Sequence, residues 1–543
     1  MGLLIWSILS LLWSQDPGNS RLALIQFGAL MALALIASQL PAPLLQRYLI
    51  PAALLAATLV ALIGICQYFG WNPLPIRQSS PPASTFLNKN YAANYLDLLV
   101  PVALLTLLAQ PRPTDWRALL AGVAFALGLG FLIISQTRGS WLGLFVAGIA
   151  LIVIYLSDSQ IKALLLQAAR RHRYTLLLAL VFAIGLSVTE SQVHPDREDL
   201  AALMSMTPDR STGIRLDMYL NASVGIFENP LLGVGYGAFA SGFMPYVAAI
   251  NPVEMVDQNV FMTYLHSDPL QMFFELGILG GVLSILIYLV FLVLGWRIIH
   301  LTASPSIRLT AIGLLLAMLA SGAHAWVDFP LRLPTSAFFF WIWGGLIVAL
   351  YLAQIPHRRL AVFAPLAVIT GIVALGYTLY SAQVYSAYWK TNQDIYTAQL
   401  AALDQDCDKT LEATDRAMDD FGQDHFTRFW YVKVYTYCDA PAEKKRAAIE
   451  RVLRLDSNIP LAYLTRAKLS LAEGDLLSAS EDFHQYLTLL PHQPQGYTGM
   501  GIIAIRLNKL EQAQYWIQEA LKRAPDDAEL QRLDRELSQA LEG

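Results

Sequence analysis

Two arginines and one histidine in this sequence lie beside long apolar stretches, where charged side chains are unusual. Arg138 lies in a turn between two apolar runs, Arg215 lies within a long polar loop, and His266 precedes another apolar run. A guanidinium group donates paired hydrogen bonds to phosphate, and an imidazole takes a proton from a hydroxyl group near neutral pH. These residue types predict a site that holds an anionic group and deprotonates a hydroxyl.

Each of the three residues also has a simpler interpretation. Arg138 could be an arginine at a helix end that extends its charged group to the membrane surface. Arg215 could lie on the solvated face of a helix that Ser211 or Thr212 caps. His266 could be an interfacial histidine that satisfies backbone groups. The functional interpretation therefore depends on whether the three residues come together.

Two other kinds of site are not favoured by the sequence. The glycine run from Gly233 to Gly237 lacks the lysine of a phosphate-binding loop and does not follow a strand. It more simply predicts a tight chain reversal. The histidines are scattered, and no two stand four residues apart with a carboxylate between them, so we expect no metal site.

The elements that must position these residues are membrane helices. The chain has 543 residues, 55% hydrophobic and 14% charged, with a net charge of -4 that does not suggest nucleic-acid binding. The opening run, Gly2 to Trp13, is short for a span of about 20 residues. Further apolar runs lie at 22–40, 47–69, 92–109, 118–135, 141–157, 174–190, 270–296, 309–326, 337–355 and 361–380. We expect an all-α, polytopic membrane helix bundle of about eleven spans in residues 1–380.

Basic residues in four short links predict how the bundle is oriented. These links alternate with the remaining ones, so that all four can face the cytoplasm together. The loop 191–268, the link 70–91 and the tail beyond residue 380 then face the other side. The basic residues are Arg112 and Arg117; Lys162, Arg170, Arg171 and Arg173; Arg297 and Arg308; and Arg358 and Arg359.

The tail contains an internal repeat of about 34 residues, the tetratricopeptide period. Pro460 matches Pro494, and Tyr463 matches Tyr497. We expect repeats at 460–543, an α-solenoid, and a helical linker or degenerate repeat at 381–459. The concave surface of such an array either binds a protein partner or packs on the membrane part. Cys407 and Cys438 could form a disulfide if the tail is exported.

Several stretches together resemble the O-antigen ligase and O-antigen polymerase superfamily. The resemblance is carried by Asn88-Lys-Asn followed by Ala92, Thr137-Arg-Gly-Ser, Arg215, Pro230-Leu-Leu-Gly-Val-Gly-Tyr-Gly-Ala-Phe, and His266 with Glu275 and Gly277. It covers residues from about 84 to 280, and the hydropathy pattern extends it to about 380. Asn88-Lys-Asn differs from the Gln-Pro-Asn expected in the pilin-glycosylating subgroup.

The resemblance implies a bacterial inner-membrane glycosyltransferase with a periplasmic C-terminal domain. Its donor would be a glycan linked to undecaprenyl diphosphate, and its acceptor a lipid A core, a glycan or a protein. Arg138 and Arg215 would bind the diphosphate, and His266 would activate the acceptor hydroxyl with inversion at the sugar. Glu275, Asn90 and Lys89 would support this site. No cofactor or metal is implied.

Five functions remain open at this stage. A ligase and a polymerase share the donor and the base, so the residues named above do not separate them. Protein O-oligosaccharyltransferases are a further alternative. A transporter with a scaffolding tail is less favoured, because the polar residues gather at the outward face rather than at the midplane. A non-catalytic assembly scaffold is the remaining class.

Overall fold

The computed structural model describes residues 2–74, 76, 78–193, 210–355, 364–438 and 440–542, with only the backbone at 190–193 and 364–375. Every regular element within these residues is a helix. Part of the predicted outward loop, 194–209, lies outside the described residues, as do Arg358 and Arg359.

The first group of helices forms the membrane part and the described part of the long loop. They are α1 (Gly2–Leu9), α2 (Pro17–Gln39), α3 (Ala42–Tyr68), α4 (Lys89–Ala109), α5 (Trp116–Ser135), α6 (Arg138–Ser157), α7 (Ser159–Arg171), α8 (Arg173–Val193), α9 (Arg210–Glu228), α10 (Asp268–Leu301), α11 (Pro305–Ala325) and α12 (Pro334–Leu352).

The second group begins with a long helix and continues into the C-terminal repeats. Its members are α13 (Ala364–Leu403), α14 (Cys407–Phe421), α15 (His425–Tyr437), α16 (Ala442–Leu453), α17 (Pro460–Glu473), α18 (Leu476–Leu489), α19 (Pro494–Arg506), α20 (Leu510–Leu521) and α21 (Ala528–Glu542). Helix α13 is continuous through residue 380, so the expected domain boundary falls inside one helix.

The expected membrane helix bundle is confirmed, although the described residues do not include the whole of the last predicted span. Among the described residues, eight helices are long and apolar enough to cross a bilayer, or nine if the bent pair α7 and α8 is one span. The opening run forms only a short helix, which packs beside α10 through a hydrogen bond from Trp6 to the Leu276 carbonyl (2.9 Å). The last expected run, 361–380, begins outside the described residues.

Segments that were predicted to share the outward side lie together at one end of the bundle. The amide of Gln15 donates to the Val234 carbonyl (2.9 Å), and the amide of Asp268 donates to the Asp328 carbonyl (3.2 Å). Two of the basic links meet each other, since Arg171 donates to the carbonyl of Gln110 (3.1 Å). This arrangement agrees with the predicted alternation of the links.

The glycine run makes the predicted chain reversal, against a break in helix α10. Gly233, Gly235 and Gly237 all have positive φ, and so does Gly277 inside α10. The break leaves helix carbonyls unpaired, and the loop supplies their donors: the amide of Gly235 donates to the Glu275 carbonyl (2.8 Å). A Cβ at Gly233 would lie 2.5 Å from the Glu275 backbone, so only glycine fits.

The C-terminal region forms helix pairs at the predicted period. Pro460 and Pro494 each occupy the first turn of a helix, where proline costs no hydrogen bond, and the pairs α17–α18 and α19–α20 follow them. The preceding pair α15–α16 lies in the stretch where a linker or degenerate repeat is expected, and its Ile449 and Val452 are fully buried. Cys407 and Cys438 are joined by a disulfide, with a Cα–Cα distance of 5.5 Å.

A segment of the long loop, residues 253–262, packs against the repeats. Val253 and Val256 are fully buried in one apolar cluster with Phe483 and Leu490 of the repeat region. Tyr437 donates to the side-chain oxygen of Asn259 (2.8 Å), and the ring of His492 hydrogen-bonds to the Val256 carbonyl (2.8 Å). We call residues 253–262 the clamp segment, because the repeats hold it just before His266.

Candidate active site

His266 lies in a strained turn that two neighbours hold in place. Its φ of 59° is in the left-handed region, which residues other than glycine rarely adopt and which is frequent at functional sites. The hydroxyl of Tyr219 donates to the His266 carbonyl, and the ring of Phe329 packs edge-on against the imidazole at 4.7 Å between centroids. These contacts fix both the backbone and the ring.

Asp328 determines which nitrogen of His266 can act as a base. The Nδ1 atom of His266 lies 3.2 Å from the Asp328 carboxylate, which accepts but does not donate in its ionised form. Nδ1 therefore carries the proton and Nε2 keeps its lone pair. Burial alone would raise the pKa of Asp328, but hydrogen bonds from His266 and His324 outweigh it and hold this pKa well below its ordinary value.

Arg215 reaches the same place from helix α9. Its guanidinium group donates to the Val327 carbonyl (3.0 Å), one residue before the Asp328 that binds His266. Tyr219, one helical turn further along α9, holds the His266 backbone, so one face of α9 supplies both contacts. A guanidinium group has five N–H donors, and this bond uses one of them.

Arg138 begins helix α6, whose second residue packs against a neighbour of Asp328. The following residue, Gly139, has no space for a Cβ, which would lie 2.2 Å from the His324 ring. His324 in turn faces Asp328, with 3.5 Å between Nε2 and Oδ2. The sequence turn before Arg138 is tied to helix α4, since Thr137 donates to the Asn90 side-chain oxygen (3.1 Å).

The structure thus brings three parts of the chain that the sequence analysis singled out to one short segment, residues 324–328. Arg215 contacts Val327, His266 contacts Asp328, and the α6 start contacts His324. Asn90 lies at the same junction through Thr137, with Lys89 as its chain neighbour at the beginning of α4.

Glu275 lies elsewhere. It is fully buried, its carboxylate accepts from the Gly237 amide (2.9 Å), and it pairs with Arg332 (2.9 Å). Its contacts hold the glycine run against the α10 break. Its support for the site is therefore indirect, through the fold of the chain around residue 237.

A cavity of about 790 Å³ lies between α2, α10, α12 and the repeat region. Asp268, Glu275 and Arg332 form part of its polar wall, whereas His266, Arg138 and Arg215 are not among its lining residues. Asp268 is only two residues from His266, so the cavity is a neighbour of the His266 cluster rather than its centre.

One group of buried side chains among the described residues has the spacing of a metal site. Asp16, His425 and Asp456 place one potential ligand atom each within 4.8 Å of one another. Arg428 lies among the same groups, 2.8 Å from Asp16 and 3.3 Å from Asp456, and already supplies positive charge to both carboxylates. These contacts fit an ion-pair network that joins the membrane part to the repeats.

Sequence reasoning missed three polar residues that complete the cluster around His266: Asp97, His324 and Asp328. Asp97 and His324 are buried inside α4 and α11, where they look like isolated polar positions in apolar runs. The one available signal was the spacing of His324 and Asp328, four residues apart at the outward end of an apolar run.

Two comparisons with protein families agree with this arrangement. The model of the O-antigen ligase family matches residues 123–285, a range that includes Arg138, Arg215 and His266. A tetratricopeptide-repeat model matches residues 470–537. No curated protein matches the chain significantly. These matches support glycan transfer of the O-antigen ligase type in general, together with a protein-interaction type of repeat at the C-terminus. The resemblance of this chain to the O-antigen ligases, followed by tetratricopeptide repeats, is therefore confirmed over these two stretches.

Proposed function

We propose that this protein transfers a glycan from an undecaprenyl-diphosphate-type lipid carrier to an acceptor hydroxyl at the periplasmic face of the bacterial inner membrane. The observation that carries the proposal is the convergence of Arg215, His266 and the start of helix α6 on residues 324–328. A base and two arginines at one end of a membrane bundle suit a substrate whose lipid tail lies in the bilayer.

In the proposed reaction, Nε2 of His266 takes the proton of the acceptor hydroxyl. The acceptor oxygen bonds to the anomeric carbon as the bond from that carbon to the diphosphate oxygen breaks, so the configuration inverts. Arg138 and Arg215 bind the diphosphate and stabilise the charge that it gains on leaving. Asp328 stabilises the imidazolium that His266 becomes. The arginines supply the positive charge that a metal ion supplies in other transferases.

Ligation of an O-antigen or oligosaccharide is the form of the reaction that we favour. Polymerisation of O-antigen or exopolysaccharide, and transfer to protein, would use the same donor and base. A transporter or an assembly scaffold would not need the base geometry of His266, whose Nδ1 is held by Asp328 while Nε2 keeps its lone pair.

Substitution of the two central residues tests the proposal. His266→Ala and Arg215→Ala should each reduce transfer from a polyprenyl-diphosphate-linked glycan by about 100-fold or more, with unchanged membrane insertion. Arg210→Ala is the matched control, because Arg210 lies on the same helix and its ion pair with Glu254 is exposed. Transfer at the normal rate in both site variants would refute the catalytic assignment.

A deletion strain separates the alternatives. Lipid-linked chains that persist without ligated glycan indicate a ligase, and single short units indicate a polymerase. Loss of glycan from a protein alone indicates a protein transferase. If ligated glycan, polymerised glycan and protein-linked glycan are all unchanged, the result would argue for the transporter or the scaffold.

A further inference from the structure

A continuous line of four ionisable groups runs from His266 into the buried interior. Asp328 binds Nδ1 of His266 through Oδ1 (3.2 Å) and faces Nε2 of His324 through Oδ2 (3.5 Å). On its other side, His324 places Nδ1 2.6 Å from Oδ2 of Asp97. Asp97 and His324 are at most 1% exposed. Such buried ionisable groups are costly unless they are paired.

We infer that His324 and Asp97 are positioning residues that, through Asp328, set the proton affinity of His266; this inference rests on the proposed function. Both ring nitrogens of His324 face carboxylate oxygens, which only accept, so both nitrogens donate and the ring carries a positive charge. When His266 is neutral, Asp97 and Asp328 each carry a negative charge and His324 carries a positive charge, so the four groups together have a formal charge of about -1. The proton that His266 takes from the acceptor hydroxyl brings this charge to zero, so the four groups favour this proton transfer.

The same histidine also connects the base to the donor-binding side. The His324 ring packs against Gly139, the residue after Arg138, and Ser140 lies 3.5 Å from its Nδ1 atom. Any side chain at position 139 would push against the ring. His324 therefore fixes the start of α6 relative to Asp328, and so Arg138 relative to His266.

Other ionisable groups face this line from the surrounding helices. They are Tyr91 on α4, whose ring packs on Phe329; Arg138 at the start of α6; Arg215 and Tyr219 on α9; and Asp268 at the start of α10, whose amide donates to the Asp328 carbonyl (3.2 Å). Burial raises the pKa of Tyr219 to about 12, so this side chain stays neutral between pH 5 and 9. Because Asp268 also faces Asp328, a change in the pH profile is assigned to this line only where it appears in variants of His324 or Asp97 and not in the control variant.

Two nearly isosteric variants test the inference by the direction of their effects. His324→Gln removes a positive charge near Asp328, so His266 should hold its proton more tightly and the acid limb of the kcat profile should move to higher pH. Asp97→Asn removes a negative charge, so the acid limb should move to lower pH. Each kcat should fall by about 10- to 100-fold, with the donor KM within about twofold of wild type.

A buried histidine away from the site provides the control. His172 is 1% exposed and hydrogen-bonds to the Gln110 carbonyl (3.0 Å) at the opposite end of the bundle. His172→Gln should leave the pH profile unchanged. Ser140→Ala, which removes only a hydroxyl beside His324, is the milder site variant if the others do not fold, and it should lower kcat at unchanged KM.

The outcomes separate this inference from the proposed function. The inference is supported if the acid limb moves in opposite directions in folded His324→Gln and Asp97→Asn. If those two variants do not fold, a lowered kcat in Ser140→Ala supports it instead. Shifts in the same direction, or wild-type kcat in the folded variants, overturn it. If His266→Ala retains transfer, the proposed function fails; if only the positioning variants match wild type, this inference fails alone.

Discussion

At the residue scale, the chemistry of this protein depends on pairs that lie far apart in the sequence. His266 obtains its orientation from Asp328, its backbone position from Tyr219 and its ring packing from Phe329. Arg215 is held by a carbonyl one residue before Asp328. A displacement of the segment around Asp328 would therefore disturb the proposed base and the proposed phosphate-binding arginine together.

Asp328→Asn should lower kcat by about 10²- to 10⁴-fold with a smaller effect on KM, because the imidazolium loses its charged partner. The pKa of Asp328 is held below its ordinary value. The ionised Asp328 therefore stabilises the fold at pH values above about 4, the ordinary aspartate pKa in the unfolded protein. This stabilisation is lost as the pH falls through the lower pKa that Asp328 has in the folded protein.

Steady-state transfer assays between pH 5 and 9 check this prediction. Asp217→Asn is the control, because Asp217 lies near the same loop but accepts an exposed hydrogen bond from Asn251 (2.9 Å). Equal kcat values for the two variants would contradict the role given to Asp328.

At the element scale, short irregular segments set the geometry that the helices alone do not. The glycine run closes the break in α10, and the clamp segment joins the repeats to the residues before His266. The repeat surface that could have recognised a partner is, at the clamp segment, packed against the chain itself. This contact favours the packing interpretation for that part of the array.

Val256→Asp should reduce transfer by about 100-fold, since a buried, unpaired carboxylate would displace the clamp segment from the repeats and His266 with it. Val260→Asp should have little effect, because Val260 is 41% exposed in the same segment. Transfer assays and protease sensitivity of residues 253–262 measure the difference. If both variants transfer normally, the clamp segment does not position the base.

At the scale of the whole molecule, the membrane part and the repeats meet through a buried ionic network. Arg428 pairs with Asp16 at the start of α2 and with Asp456 in the repeat region. Burial alone would raise the pKa of Asp456, but the charges of His425 and Arg428 outweigh it and hold this pKa well below its ordinary value. The pairing of Asp456 therefore stabilises the junction above the unfolded aspartate pKa of about 4, and this stabilisation is lost as the pH falls through the folded pKa.

Arg428→Met should destabilise this junction by about 3–5 kcal/mol, because it leaves buried carboxylates without their partner. Arg451→Met should cost at most about 1 kcal/mol, since its pair with Asp419 is exposed. Thermal unfolding and proteolysis between the two parts measure the difference. Equal stability of the two variants would show that the network does not hold the parts together.

The disulfide provides a test of which side of the membrane the repeats occupy. Cys407 and Cys438 are 31 residues apart, so their bond should stabilise the repeat region by about 3–4 kcal/mol in an oxidising compartment. In a Cys66→Ala background, thiol labelling of the native protein should appear only after reduction. Labelling without reduction would place the repeats in the cytoplasm or leave the bond unformed.

The sequence by itself determined the helical class, the membrane bundle and the repeat period, because apolar run length and the 34-residue spacing are local signals that burial enforces directly. It also singled out Arg215 and His266, since ionisable side chains beside apolar runs need a reason to be there. Of the runs that it predicted, the first forms only a short helix that packs beside α10 in the structure.

Only the tertiary structure revealed the partners of these residues. Asp97, His324 and Asp328 lie up to 231 positions apart and pair across helices α4 and α11 and the turn that follows α11. No local pattern marks such a pair, because a buried carboxylate is tolerated wherever the fold happens to place a cation or a donor beside it. The contact of the clamp segment with the repeats could not be predicted from the sequence for the same reason. Side-chain identity sets what each group can do, and packing decides which group it meets.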